Sequence, residues 1–130
     1  AKQLKVIDYI EFTGARNDIA QLLAHANVFV LSSIAEGIPM TVLEAMAASL
    51  PIISTNVGGL AELITSGENG YLVEKQNTEQ LSQAMENYVK TPALIEQQGS
   101  AARIFIENNF SEKNMVSEYL MLYNKSLGLQ

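Results

Sequence analysis

Cysteine and tryptophan are absent from this 130-residue chain, and histidine occurs once, as His25. Without cysteine there is no disulfide and no thiolate metal or redox site. One histidine rules out a multi-histidine metal centre within the chain, and any Ser-His-Asp arrangement would have to use His25 alone. That residue sits in LLAHANVFVL, at the end of a helical pattern and just before a strand. It reads most simply as a helix C-terminal residue, a place the negative end of the helix dipole favours. No apolar run approaches the ~20 residues a membrane-spanning helix requires, and nothing at the N-terminus has the form of a signal peptide. Positive charge is scarce too: eight Lys and Arg stand against fourteen Asp and Glu, a net charge of −6. The basic residues are scattered, so the basic face that general nucleic-acid binding needs is missing. An anionic ligand is still admitted, because backbone amides at a helix start hold phosphate without net positive charge.

What is present is a globular composition, 48% hydrophobic, at a length that suits one domain and can bury roughly two thirds of its unfolded surface. Short β-branched or aromatic runs alternate with helical segments. YIEFTG (9–14) reads as a strand ending at a glycine turn. NDIAQLLAHA (17–26) reads as a helix capped by Asn17 or Asp18, with Ile19, Leu22, Leu23 and Ala26 on one face. VFVLSS (28–33) and PIIST (51–55) are short continuous apolar runs of the kind buried on both faces of a parallel sheet. Between them PMTVLEAMAAS is a helix opening at proline, LAELITSG (60–67) a short helix stopped by Gly67, and GYLVE (70–74) a strand. Three helices follow: 77–90 capped by Asn77 or Thr78, 92–110 opening at proline, and 111–128 capped by Ser111. The alternation predicts an α/β fold, a partial Rossmann-like parallel sheet of about four strands with flanking helices and a C-terminal helical tail. The division is one domain over 1–130, with a strand–helix core over about 6–76 and the tail over about 77–130.

The stretch SSIAEGIPMTVLEAMAASLPIIST (32–55) carries the chemistry. In a doubly wound sheet ligands sit beyond the carboxyl ends of the strands, and two strand-to-helix loops reach that edge here, SSIAEGIPMT and STNVGGLAE. Gly37, Gly58 and Gly59 allow close backbone approach, and both loops lead into helix N-termini, whose free amides favour an anion. Glu36 precedes the helix and Glu44 lies one to one and a half turns into it, in an otherwise apolar or small run where an unpaired buried charge would be costly. A carboxylate facing a vicinal diol is one way to hold a ribose, and the small residues Ala47 and Ala48 leave room for an approach. The pair therefore fits a ligand with hydroxyls at each end and a phosphate between. Taken alone, Glu36 also fits a favourable charge near a helix N-terminus, Glu44 a solvated helix residue or the partner of an Arg, and the glycines ordinary turns. Arg16, Asn56 and Asn69 lie in loops near the proposed pocket.

Residues 9–74 resemble, element by element, the C-terminal donor-binding half of retaining glycosyltransferases of the GT-B fold, in the large group-1 type of bacterial polysaccharide biosynthesis. The resemblance rests on Glu36, seven residues, Glu44, then AMA, a small residue, Pro51 and a hydrophobic strand, a GG…E loop, and NG-hydrophobic-LV. It implies that Glu36 contacts hydroxyls of the donor sugar and acts catalytically by position and electrostatics. It implies further that the amides of Gly37, Ile38, Pro39, Met40, Thr41 and Val42 hold the sugar and diphosphate, that Glu44 binds the ribose, and that the backbone around Ala15 and Arg16 borders the base. No metal and no resident cofactor are implied; the nucleotide-sugar is substrate. The partners implied are that donor and a glycan or lipid-linked acceptor held by an N-terminal domain, with a hexose-type sugar transferred. The setting implied is cytoplasmic, with the parent peripheral at the inner membrane surface. The alternatives are a non-catalytic nucleotide- or protein-binding α/β module and part of a nucleotide-sugar epimerase.

Against the family pattern, the chain shows no acceptor domain and no Arg–Lys pair for the diphosphate; before residue 9 only Lys2 and Lys5 lie, in the wrong context. The expectation is a truncated donor-binding portion, inactive alone. If the sheet order is 3-2-1-4-5-6, the strand at 9–13 would be parted from that at 28–31 by two absent central strands. Re-pairing of 9–13 with 28–31, filling of the gap by a second copy, or displacement of the strand are the outcomes open, with the first two preferred. Ordinary core packing is the first reading of the apolar face of the last helix; a homodimer through that face or through the exposed strand edge is the alternative.

Overall fold

A computed structural model describes residues 5–128; residues 1–4, with Lys2, and 129–130 lie outside it. Three parallel strands form the sheet, β1 (Phe29–Leu31), β2 (Ile52–Thr55) and β3 (Gly70–Val73), in the order β1-β2-β3. Phe29 stands beside Ile52, and Ile52 beside Gly70, so the strands start in register. The helices are α1 (Ile19–His25), α2 (Met40–Ala47), α3 (Leu60–Leu63), α4 (Thr78–Lys90), α5 (Ala93–Asn109) and α6 (Glu112–Leu127).

Side chains alternate across a strand, and each face of β2 finds its own helical layer. Ile52, flanked by Phe29 and Leu72, packs on Val42, Ala45 and Met46 of α2, Leu60 and Leu63 of α3, and Ala102 and Ile106 of α5. Ile53 and Val73 on the other face meet Ala84 and Tyr88 of α4 and Leu94 and Ile95 of α5. All four residues of β2 are buried, the polar Ser54 and Thr55 included, as expected of a strand covered on both faces. α4 and α5 are thus part of the core, whereas α6 has no buried residue and leaves Met115, Tyr119, Leu120 and Tyr123 more than half exposed. The caps follow the sequence: the Asn77 side chain accepts from the Gln80 amide, and that of Ser111 from the Asn114 amide. His25 ends α1 with Nδ1 2.7 Å from the Gln21 carbonyl oxygen.

Several expectations are corrected. No strand forms at 9–13: a turn of 3-10 helix occupies Ile7–Tyr9, Ile10 after it is extended, and residues 10–13 have no ladder partner, with Tyr9 89% and Phe12 80% exposed. The sheet has three strands, not four, because β-pairing requires a neighbour and β1 pairs only with β2. Of the outcomes open for that strand, re-pairing with β1 does not occur. For the same reason β1 is an edge, and Val30 is 40% exposed where full cover was expected. The helix expected over 60–67 stops at Leu63, with Ile64 already extended. Among the described residues no helix is long and apolar enough to cross a membrane.

Candidate functional site

The carboxyl ends of β1 and β2 feed two loops, 32–39 and 56–59, and these are fastened to each other. The Thr55 hydroxyl donates to the Ser33 carbonyl at 2.5 Å. The Gly59 amide donates to the Gly37 carbonyl at 3.0 Å. Gly58 has φ +57° and lies so close to the first loop that a Cβ on it would fall 2.0 Å from the Glu36 carbonyl oxygen. Only glycine meets both demands. The close approach that the sequence assigned to a ligand is here, at Gly58, an approach to the neighbouring loop.

Beyond that fastening the first loop runs into α2. Pro39 is the N-cap residue, and no side chain caps the helix. Pro39 has no N–H, and the Val42 amide donates to the Pro39 carbonyl at 3.0 Å while the Val42 side chain is fully buried. Of the segment expected to offer amides, Gly37, Ile38, Met40 and Thr41 therefore remain to do so, and Pro39 and Val42 are structural. Gly37, Met40 and Thr41 are exposed, and Glu36 is half-buried.

Glu44 is exposed one turn further on. It lines a groove of about 460 Å³ between α1 and α2, with Ile19, Ala20 and Leu23 on one wall and Ala47 and Ala48 on the other. The small residues do leave room there. An adjoining apolar groove also takes in Thr41 and Glu44. Glu36 does not line the groove that Glu44 lines, so the two carboxylates sit on successive parts of one segment but not in one cavity. No ion pair to Glu44 is present among the described residues.

Ala15 and Arg16 lie exposed in the loop that enters α1. The Arg16 guanidinium grips Asp18, with Nε donating to Oδ1 at 2.8 Å and a second contact from Nη2 to Oδ2. This pairing holds the Asp18 carboxyl below its ordinary range and raises Arg16. It also takes Asp18 away from capping α1, where it makes no side-chain bond. Asn56 is exposed at the carboxyl end of β2, its amide donating to the Val73 carbonyl at 2.7 Å. Asn69 belongs to the opposite end of the sheet, immediately before β3. It is buried, its Oδ1 accepting from the Thr65 amide at 2.9 Å and its Nδ2 donating to the Leu63 carbonyl at 3.0 Å. It closes the α3–β3 turn and is removed from the site. The contributions of Ser33, Thr55 and the wall residues Ile19 and Ala20 were not singled out from sequence. The apolar spacing of α1 was the available signal for the wall, read there as a core face.

The architecture has known counterparts. The family model described as "Glycosyl transferases group 1" matches residues 1–91. The N-acetyl-alpha-D-glucosaminyl L-malate synthase of Bacillus anthracis is 34% identical over 94% of this chain and 32% of its own length. A glycosyltransferase from Rickettsia africae superposes with a TM-score of 0.86 at 30% identity, covering 97% of this chain and 34% of that one. Anabaena HepE, solved in complex with UDP, shares the fold at a TM-score of 0.85 and 24% identity, over 92% of this chain and 34% of its own. The chain thus spans about a third of the length of the relatives it matches. With its parallel sheet, its paired loops and these relatives, the chain belongs to the group 1 glycosyltransferases of the GT-B fold and matches their C-terminal domain.

Proposed function

We propose that this chain is the donor-binding part of a retaining glycosyltransferase, holding a nucleoside diphosphate sugar at the carboxyl rim of the sheet. Gly37 carries this reading. Of the eight glycines in the chain, it alone has neither a positive φ nor any atom within 4 Å of the place its Cβ would occupy. The fold does not need glycine there, so the space in front of it is free for a ligand to lie against the backbone. That space adjoins the uncapped amino end of α2, whose amides and dipole favour a diphosphate. The groove beside Glu44 suits the ribose and base, with apolar walls for a ring and a carboxylate for its hydroxyls. Ala15 and Arg16 border it at the entrance to α1.

Glu36 is assigned the sugar, where its charge stabilises the positive character that develops at the anomeric carbon. In the transfer the bond from that carbon to the diphosphate oxygen breaks, and a bond to an acceptor oxygen forms on the same face. The acceptor's proton departs with the diphosphate. The acceptor is assigned to the glycan or lipid-linked class, the sugar to the hexoses, and no metal ion is required. Juxtaposing two substrates supplies much of such catalysis, and the matched relatives are about three times as long as this chain, so binding is the property to test. Calorimetric titration with UDP, GDP and ADP is expected to show saturable binding to at least one, unchanged by EDTA and lost in Glu44→Ala. No heat with any of the three at millimolar concentration would remove the donor site and leave only the fold.

A further inference from the structure

The second loop is assigned no contact with the donor itself, yet it is fastened tightly to the loop that carries Glu36 and Gly37. We propose that Thr55 and Gly58 are positioning residues: they fix the backbone of Ser33–Gly37, and with it Glu36, in front of α2. The inference rests on the donor-site reading above, since that reading gives Glu36 its task.

Three independent contacts converge on five residues of the first loop. The Thr55 hydroxyl holds the Ser33 carbonyl at 2.5 Å, before Glu36. The Gly59 amide holds the Gly37 carbonyl at 3.0 Å, after it. The Glu36 carbonyl itself lies against the Gly58 Cα, where a methyl group would stand 2.0 Å from it. A carbonyl and its peptide plane cannot yield as the end of a flexible side chain does. Any side chain at 58 must therefore push the Glu36 peptide away from β2, and the Glu36 carboxylate moves with it. Thr55 is 4% exposed and its hydroxyl makes no other hydrogen bond among the described residues; loss of the bond frees the loop at its other end.

Gly67 supplies the control. It has φ +87° and nothing within 4 Å of its absent Cβ, so Gly67→Ala introduces the same backbone strain without touching the first loop. Three variants, Gly58→Ala, Gly58→Asn and Gly67→Ala, are compared by amide NMR spectra without ligand and by UDP titration. Asn tolerates a left-handed backbone better than Ala but carries the same Cβ. If Gly58 served only the turn, Asn would restore the wild-type spectrum. The expectation is that both Gly58 variants shift the amides of 34–41 and weaken UDP about tenfold or more, as coupling between adjacent loops does, while Gly67→Ala does neither. Thr55→Val is expected to give a smaller loss, about two- to tenfold for one hydrogen bond, restored by Thr55→Ser. It remains as the test should the Gly58 variants not fold. Wild-type positions for 34–41 in Gly58→Asn, or wild-type UDP affinity in Thr55→Val, would overturn the proposal. If the wild-type chain binds none of UDP, GDP and ADP, the donor reading fails and the ligand-free spectra alone decide this one; if it binds GDP or ADP instead, that nucleotide replaces UDP in the titrations.

Discussion

The two rims of the sheet use their polar groups in opposite ways. At the amino rim the buried side chains of Asn69 and Gln98 are matched internally. The side chain of Asn69 satisfies Thr65 and Leu63. Gln98, 1% exposed, accepts from the Tyr88 hydroxyl at 2.6 Å and donates to the Gly67 carbonyl at 3.2 Å. Gly70 abuts the Ile52 carbonyl and Gly99 the Ser49 carbonyl so closely that a Cβ would fall 2.0 and 2.1 Å away. At the carboxyl rim the second loop is equally tight, but the first has a glycine facing open space and runs into an uncapped helix, whose Glu44 lies beside a groove with no ion pair among the described residues. Buried polar groups are normally satisfied, and at this fold's amino rim they are. At the carboxyl rim Gly37, Met40, Thr41 and Glu44 are solvent-exposed, and it is there that the proposed donor would lie.

That contrast is open to direct attack. The largest effect is expected from Gly70→Ala, which drives a methyl group into the Ile52 carbonyl and should cost at least about 3 kcal/mol of stability, read as a collapse of the thermal melt. Asn69→Ala deprives the Thr65 amide and the buried Leu63 carbonyl of the Asn69 side chain and should cost about 1–3 kcal/mol by urea denaturation, with UDP affinity intact. Gly37→Ala is the mirror case. Its stability should stay within about 0.5 kcal/mol of wild type while UDP affinity falls about tenfold, equivalent to about 1.4 kcal/mol.

A smaller signal is expected with pH. Burial, with Tyr71 adding, pushes the Tyr88 phenol well above its ordinary value. The folded state then holds that proton more firmly than the unfolded one. The stability gained is complete below the usual tyrosine value of about 10 and declines as pH rises beyond it. Thermal melts of the wild type should fall across that range, and Tyr88→Phe should flatten the slope. The smallest effect is assigned to Arg16→Ala. The depressed Asp18 carboxyl contributes above its ordinary range and loses the contribution as pH falls, but both partners are solvated and the pair is screened, so melting at physiological salt should not change measurably.

Much of this layout is legible in the residues. The strands at 28–31, 51–55 and 70–74 are short apolar runs bounded by Gly, Pro and Ser, and α4 and α6 begin at the capping residues Asn77 and Ser111. Glu36 and Glu44 could be placed around a helix start because their positions relative to Pro39 are local. What was not legible is non-local. YIEFTG has strand composition, but whether it forms a strand depends on a neighbour, and β1 pairs only with β2. Asn69 looks like any loop asparagine until the α3–β3 turn closes around it. Gly58 meets Glu36 across 22 residues of chain, the same separation as Ser33 and Thr55, and nothing in either loop alone announces the contact.

The most direct measurement is amide chemical-shift mapping of the chain with UDP. The account predicts that the perturbed residues gather at Ala15, Arg16 and 34–44, with the amino-rim residues Asn69, Gly70 and Gln98 unmoved. Shifts centred on the cleft between β3 and α4, or on the apolar groove beside Val30 and Tyr88, would contradict it.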